Sequence, residues 1–320
     1  MTMDRPLRSL LFVPGHRADR YAKALAAGAD AVVVDLEDAV PPSAKESARE
    51  AVAAWLAGSP LASFEPKGAR DDDAPNTPRA LAHAAAVDPV AMPLPVVGGG
   101  AAHVACARAP RLFLRINGAD SAWFDDDLAL VGNAALDAVM VPKSEGRDVL
   151  ARVRDAGSRA LVPLVETAVG FARLREIAAA PGVERLAFGT IDFQVDLGMR
   201  DAHEDELLPF RLQFVLESRL ASIAAPIDSV STAIDDATRL AHDVHRARRL
   251  GFGGKLCIHP RQVAQVNALF APDETEIAWA KRVLDAAEAA GGAAVAVDGR
   301  MVDKPVMLRA EAILREAGLR

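Results

Sequence analysis

Eight short apolar runs, each followed by a helical stretch, set the strongest constraint on what this chain can fold into. They lie at residues 9–13, 31–35, 112–116, 138–141, 160–165, 185–188, 225–228 and 255–258. Between them, segments 18–27, 44–56, 169–179, 205–221 and 233–250 place apolar residues at helical spacing. Strands alternating with crossover helices make a parallel sheet covered on both faces. Eight such units is the count of a (β/α)8 TIM barrel, and 320 residues with 51% hydrophobic content can fill its core. An open doubly wound sheet would share the alternation, but no Gly-rich dinucleotide fingerprint follows the first run to favour it.

The expected division is a catalytic barrel over residues 1–270 and a C-terminal lid or oligomerisation segment over 271–320. The latter reads as a helix over 272–290, a hairpin turning at Asp298-Gly299-Arg300 and a short final helix. Two strands alone are marginal, so this tail must pack on something larger, as a lid or an oligomer contact. Residues 58–110 break the rhythm. Asp71-Asp72-Asp73, several prolines and Gly98-Gly99-Gly100, with little apolar period, read as an insertion partly disordered by composition. It follows a helix and precedes a strand, on the barrel face opposite the catalytic loops, so the aspartate triplet reads as a solvated charge run.

Several classes of partner are disfavoured. A net charge of −7 without basic runs repels a phosphate-rich polymer, so no nucleic acid is expected. No stretch has the apolar length of a membrane span, and the N-terminus lacks the apolar core of a signal peptide. The two cysteines, Cys106 and Cys257, read as buried apolar groups in a reducing cytosol. A cytoplasmic protein is the expectation.

Catalytic groups of a barrel project from the C-terminal ends of its strands. Here those ends carry Asp35-Leu36-Glu37-Asp38, Arg115-Ile116-Asn117, Lys143, Glu166, Gly189-Thr190-Ile191-Asp192, Asp228 and His259, a set expected to converge on one axis. Glu166 and Asp192 are hard oxygen donors on adjacent strands and only two, which suits Mg²⁺, an ion that keeps water ligands. The alternative is that each caps its following helix. Arg115 offers a planar fork to a substrate carboxylate or enolate, or a structural ion pair to Glu37 or Asp38. Glu37 and Asp38 are assigned to positioning Arg115 and metal-bound water. Lys143 is expected to orient a carboxylate, with a Schiff-base role as the lesser alternative. His259 reads as a packed or hydrogen-bonded histidine before a base.

Taken together, Leu11-Phe12-Val13-Pro14-Gly15, Asp35-Leu36-Glu37-Asp38-Ala39-Val40, Leu114-Arg115-Ile116-Asn117, Val141-Pro142-Lys143, Pro163-Leu164-Val165-Glu166-Thr167, Phe188-Gly189-Thr190-Ile191-Asp192 and 253–260 form an ordered series. That series resembles the motifs of the citrate lyase β-subunit and malyl-CoA lyase superfamily, over nearly the whole chain outside the insertion. The resemblance implies a phosphoenolpyruvate/pyruvate-type barrel with Mg²⁺ on Glu166 and Asp192 and substrate on Arg115. It implies substrate or CoA contacts at Gly189, Thr190 and Ile191, and CoA phosphates near Gly15, His16, Arg17 and Arg20. The segment Gly299 to Pro305 resembles a family lid that places an aspartate over the neighbouring subunit's site. Asp303 is then the acid/base acting in trans, within a homotrimer or hexamer. The implied activity is carbon–carbon cleavage of a 3-hydroxyacyl-CoA diacid to an acyl-CoA thioester and a 2-oxo acid. Two alternatives stand beside it: a CoA-independent aldolase of hydroxy-oxo-diacids, and an accessory subunit of a citrate lyase-type complex.

Overall fold

The computed structural model describes residues 6–58, 61, 109–291 and 293–320. Most of the 58–110 stretch, including Asp71-Asp72-Asp73 and Cys106, lies outside them. Eight parallel strands close into a barrel in sequence order. They are β1 Ser9–Pro14, β2 Ala31–Asp35, β3 Arg111–Arg115, β4 Ala138–Val141, β5 Leu161–Val165, β6 Ala187–Phe188, β7 Ile227–Asp228 and β8 Gly254–Cys257, with β8 pairing back to β1. The sequence expectation of eight βα units therefore holds, with two strands shorter than read. In β6 and β7 only two residues keep the ladder, and Arg185-Leu186 and Ala225-Pro226, read as strand, lie before it.

Helices surround the sheet, among them Lys45–Ala57, Phe124–Val131, Arg147–Asp155, Leu208–Leu220, Ala237–Leu250 and Pro260–Phe270. The helix expected over 169–179 is instead two short ones, Ala168–Ala172 and Leu174–Ala178, separated at Arg173, whose backbone leaves helical geometry (φ −104°, ψ 15°). Among the described residues no helix is long and apolar enough to cross a membrane.

Side chains alternate across each strand with a period of two, and this decides where every strand-end group points. One apolar cluster takes its residues from the barrel strands and their flanks, including Leu10, Ala31, Phe113, Met140, Leu164 and Ile227, and fills the interior. The intervening residues, such as Val32, Leu114, Val139 and Val165, pack outward under the helices. Counting on by two from Val33, Phe113 and Leu164 puts Asp35, Arg115 and Glu166 on the interior face at the mouth. Counting from Ile227 puts Asp228 on the outer face.

Beyond the barrel, helix Glu274–Ala289, the hairpin strands β9 Val295–Val297 and β10 Arg300–Val302, and helix Lys304–Glu316 enclose an apolar core of their own around Val283, Val302, Ala310 and Ile313. The hairpin turns at Asp298-Gly299, both at positive φ (50° and 72°), the geometry of a two-residue type I′ turn. The ion pair Arg248–Glu276, at 2.7 Å, links this tail to the barrel helix Ala237–Leu250.

Candidate active site

Arg115 organises the mouth of the barrel. The register sets Asp35 beside Arg115 on neighbouring strands, both facing inward. The guanidinium Nε and Nη2 donate to the two Asp35 carboxylate oxygens, each at 2.7 Å, while Asp35 also accepts the backbone N–H groups of Glu37 and Ala39. A fork-to-fork pair of this kind is the strong, geometrically fixed form of a charge-assisted hydrogen bond. The sequence reading offered Glu37 or Asp38 as the structural partner; the principal partner is Asp35, because alternation along β2 brings it inward. Arg115 also lies over the Phe12 ring, 4.7 Å from its centroid. Its Nη1 remains directed at the acidic loop, 3.0 Å from Glu37 Oε2 and 3.6 Å from Asp38 Oδ2.

Glu37 is buried, and neither of its carboxylate oxygens has a hydrogen-bond donor among the described residues, since Arg115 Nη1 meets it only as an ion contact. Burial pushes its carboxyl up to about 8, against the pull of Arg115 and with Glu166, Asp38 and Asp35 adding to the rise. Glu166 is buried too, and burial lifts it to about 7, with Asp192 nearby adding to the rise. Asp192 is more exposed; burial and Asp38 raise it from its ordinary value. Uncompensated buried carboxylates are costly, so Glu37 and Glu166 raised together, with the exposed Asp192 beside them, form a place for positive charge. Among the described residues no set of three or more His, Cys, Asp or Glu groups closes on a single point. Glu166 and Asp192, two hard oxygen donors, suit an ion that takes few carboxylates and keeps waters, which is the habit of Mg²⁺.

The backbone prepares this pair. Glu166 Oε1 accepts the Lys143 N–H at 2.8 Å, and Lys143 itself has a left-handed backbone (φ 44°), uncommon outside glycine. Thr167, not Glu166, caps the next helix by accepting from Gly170 N, so Glu166 is not spent as a cap. Asp192 lies in the first turn of helix Thr190–Asp196. Gly189 is required by close approach. A Cβ there would stand 2.5 Å from Glu166 Oε2 and 2.7 Å from Glu166 Cβ, distances side chains do not adopt. Thr190 donates through N and Oγ1 to Ser229 Oγ, at 3.2 and 2.8 Å, fixing the helix start that bears Asp192. Ile191 is exposed beside it.

Lys143 reaches into the same rim, with Nζ 4.0 Å from Glu37 Oε1 and 3.8 Å from Asp120 Oδ2. Partial burial lowers its pKa, but Asp120, Glu37, Asp38 and Glu166 outweigh that and leave it raised, so it is a cation and a poor Schiff-base nucleophile.

Other expected residues fall outside this cluster. Asp228 points outward, where Arg211 Nε meets it at 3.0 Å and Lys255 Nζ at 3.8 Å; strand parity removes it from the converging set. His259 caps helix Pro260–Phe270, its Nδ1 accepting from Arg261 N, which is the hydrogen-bonded role and not that of a base. Cys257 is buried in β8, and burial pushes its thiol up to about 12. At the first loop, Gly15 donates to Asp35 O at 2.7 Å, a contact that leaves no space for a Cβ. His16 and Arg20 are exposed, while Arg17 is forked onto Asp19 at 2.8 Å. Asp303 begins helix Lys304–Glu316 as its N-cap, accepting from Val306 N at 3.4 Å.

Sequence reading placed Asp35 and Asn117 in the converging set without giving either a role, and it missed Lys45. Asp35 was legible from the spacing of two along Ala31, Val33 and Asp35. Lys45 Nζ donates to Leu36 O, Glu37 O and Asn117 Oδ1, at 2.7, 2.8 and 2.6 Å, a contact no local pattern announces.

Residues 8–63 and 97–260 match the family model described as HpcH/HpaI aldolase/citrate lyase, and residues 211–319 match that of a C-C bond lyase of the TIM-barrel fold. The chain is 37% identical to a citrate lyase subunit beta-like protein of Deinococcus radiodurans, with 96% of each chain covered. It is 28% identical to a (3S)-malyl-CoA thioesterase of Cereibacter sphaeroides, covering 98% of this chain and 95% of the relative. Its fold matches a crystal structure of CitE from Mycobacterium tuberculosis in complex with magnesium, acetoacetate and coenzyme A, with a TM-score of 0.73, 29% identity and 98% of each chain covered. A family model matched over residues 8–63 and 97–260, together with a relative 37% identical over 96% of the chain, settles the affiliation: the chain belongs to the HpcH/HpaI aldolase/citrate lyase family.

Proposed function

We propose that this chain is a Mg²⁺-dependent carbon–carbon lyase that cleaves a 3-hydroxyacyl-CoA diacid, of the malyl-CoA or citramalyl-CoA type, to an acyl-CoA and a 2-oxo acid. The observation that carries the proposal is the pairing of Glu166 and Asp192 with a buried Arg115 at one barrel mouth, beside a Glu37 carboxylate that has no hydrogen-bond donor among the described residues. A structure of CitE with magnesium, acetoacetate and coenzyme A is the supporting neighbour.

When bound, Mg²⁺ supplies a Lewis acid for the substrate carboxylate and the adjacent hydroxyl oxygen. Glu166 and Asp192 would hold it. Cleavage breaks the bond between the hydroxyl-bearing carbon and the carbon next to the thioester. A base takes the hydroxyl proton, the oxygen becomes the carbonyl of the 2-oxo acid, and the bonding pair remains on the thioester fragment as an enolate. Arg115, immobilised by Asp35, presents Nη1 to developing negative charge, a donor that needs no reorganisation during the reaction. Lys143 orients a substrate carboxylate from the rim. Asp303 of a neighbouring subunit protonates the enolate, which requires an oligomer, a trimer or hexamer, with the tail as lid. His16, Arg17 and Arg20 receive CoA phosphates, Arg17 by exchanging its Asp19 partner.

The role of Asp303 separates from its cap. Asn caps helices as well as Asp does, so Asp303→Asn should keep its thermal midpoint while turnover falls by about 10² to 10⁴. Thermal unfolding together with steady-state rates checks this, and full turnover in Asp303→Asn removes the acid/base assignment.

The thioesterase among the relatives supports a second reading, hydrolysis of the same thioester. Product analysis of purified protein with malyl-CoA and citramalyl-CoA, with Mg²⁺ and with excess chelator, tells them apart. Chelator-sensitive formation of a 2-oxo acid and an acyl-CoA supports the lyase. Free CoA and the intact hydroxy-diacid would establish the thioesterase instead, and turnover of free hydroxy-oxo-diacids alone would establish the CoA-independent aldolase.

A further inference from the structure

Lys45 opens the helix Lys45–Ala57 and is buried, yet among the described residues no carboxylate pairs with it directly; its ammonium is consumed by three neutral acceptors. An ammonium has three N–H donors and no acceptor, and here each proton has one partner. Two are the backbone carbonyls of Leu36 and Glu37, at 2.7 and 2.8 Å, on the loop that follows β2. The third is Asn117 Oδ1, at 2.6 Å, two residues beyond Arg115 on the end of β3. Asn117 in turn donates through N and Nδ2 to Asp127 Oδ2, at 2.8 and 2.6 Å, and Arg49, one helical turn beyond Lys45, donates to Asp127 Oδ1 at 2.9 Å. The Trp123 ring lies 5.2 Å from Nζ. One ammonium thus ties the Glu37 loop to the strand end that carries Arg115.

We propose that Lys45 is a positioning residue, which fixes the Glu37 loop and the end of β3 relative to each other so that Glu37 and Arg115 meet the substrate in one geometry. The proposal rests on the lyase reading of the site and assigns Lys45 no contact with substrate or metal, its three donors being taken by Leu36, Glu37 and Asn117. Its neighbours could have been satisfied more cheaply. Leu36 O and Glu37 O are loop carbonyls that water or a backbone N–H serves in most loops, whereas burying a charge for them is costly unless position is what is gained.

The test is Lys45→Met, which keeps the stem under Trp123 and removes the donors. Groups that hold site residues from behind typically contribute about 10- to 100-fold in activity, so kcat should fall by that factor while KM for the thioester changes by less than about threefold. Amide exchange in a peptide over 36–40 should accelerate while the strands β4, β5 and β8 keep wild-type protection. Mn²⁺ affinity, read by titration, should persist because Glu166 and Asp192 are untouched. Lys45→Gln, which retains two N–H donors, should fall between wild type and Lys45→Met, and it carries the test where Lys45→Met does not fold. Wild-type kcat with wild-type exchange at 36–40 overturns the proposal. So does exchange accelerated equally throughout the barrel, because that marks lost stability and not lost position. A wild-type protein that turns over no thioester would overturn the lyase reading alone, since exchange at 36–40 still reports whether Lys45 holds the loop.

Discussion

Glu166→Gln is expected to reduce turnover by about 10³-fold or more and to remove its dependence on Mg²⁺. Lewis-acid stabilisation is worth several kcal/mol, and each factor of ten in rate corresponds to about 1.4 kcal/mol. Gln has nearly the same shape and still accepts the Lys143 N–H, so the fold survives and charge alone is lost. The pH behaviour gives an independent reading. Burial raises Glu166 to about 7 and Glu37 to about 8, from an ordinary 4.5. Between pH 4.5 and 8 the metal-free folded state therefore binds more protons than the unfolded chain, and its stability declines as pH rises through that window. A divalent cation takes the deprotonated form, so Mg²⁺ should bind more tightly as pH rises from about 6 to 8 and should release protons on binding. Calorimetry in buffers of different ionisation enthalpy measures that release, which should shrink in Glu166→Gln. Proton release and Mg²⁺ affinity unchanged from wild type would remove Glu166 from the metal site.

Arg115→Met should destabilise the protein by about 3–5 kcal/mol, because Asp35 and Glu37 would lose their buried counter-charge. At about 2–4 °C per kcal/mol for a domain of this class, the thermal midpoint drops by roughly 6–20 °C. Activity should vanish with it. The double change Asp35→Leu with Arg115→Met should recover part of the stability and none of the activity, since removing both members of a buried pair costs far less than orphaning one. Arg115→Lys keeps the charge but cannot make the fork onto Asp35, so it should fold with reduced stability and lose about 10²-fold or more in kcat/KM, the scale of a lost preorganised donor. Thermal unfolding and kinetics of the four proteins check the argument; a double variant no more stable than Arg115→Met would show that the buried pair is not what sets the cost.

Much of this was legible in the chain because a barrel announces itself locally. The run Ala31 to Asp35 is β-branched and ends in acid, and it forms β2 with those bounds. Glu166 and Arg115 could be placed at the mouth from strand ends alone. Facing was harder. Asp35 and Asp228 look alike in sequence, each an acid closing a strand, but one faces Arg115 inside and the other Arg211 outside, and only the register of the closed sheet separates them. Lys45 was not legible for a different reason: its partner Asn117 is 72 residues away, across the 58–110 segment, and a helix-opening lysine is ordinarily solvated. The short strands β6 and β7 show the same limit from another side, since the runs read as strand begin two residues before pairing starts.

Gly189 carries no functional group, yet the space its missing methyl leaves is occupied by the carboxylate of Glu166. In a saturation scan this position would resemble a catalytic one, intolerant even of alanine, and a map of essential residues drawn from such data would overcount the chemistry by one. For anyone transplanting this acidic pair onto another barrel, the same fact is a design constraint: grafting Glu166 and Asp192 without the glycine would deliver the carboxylates and no room to hold them.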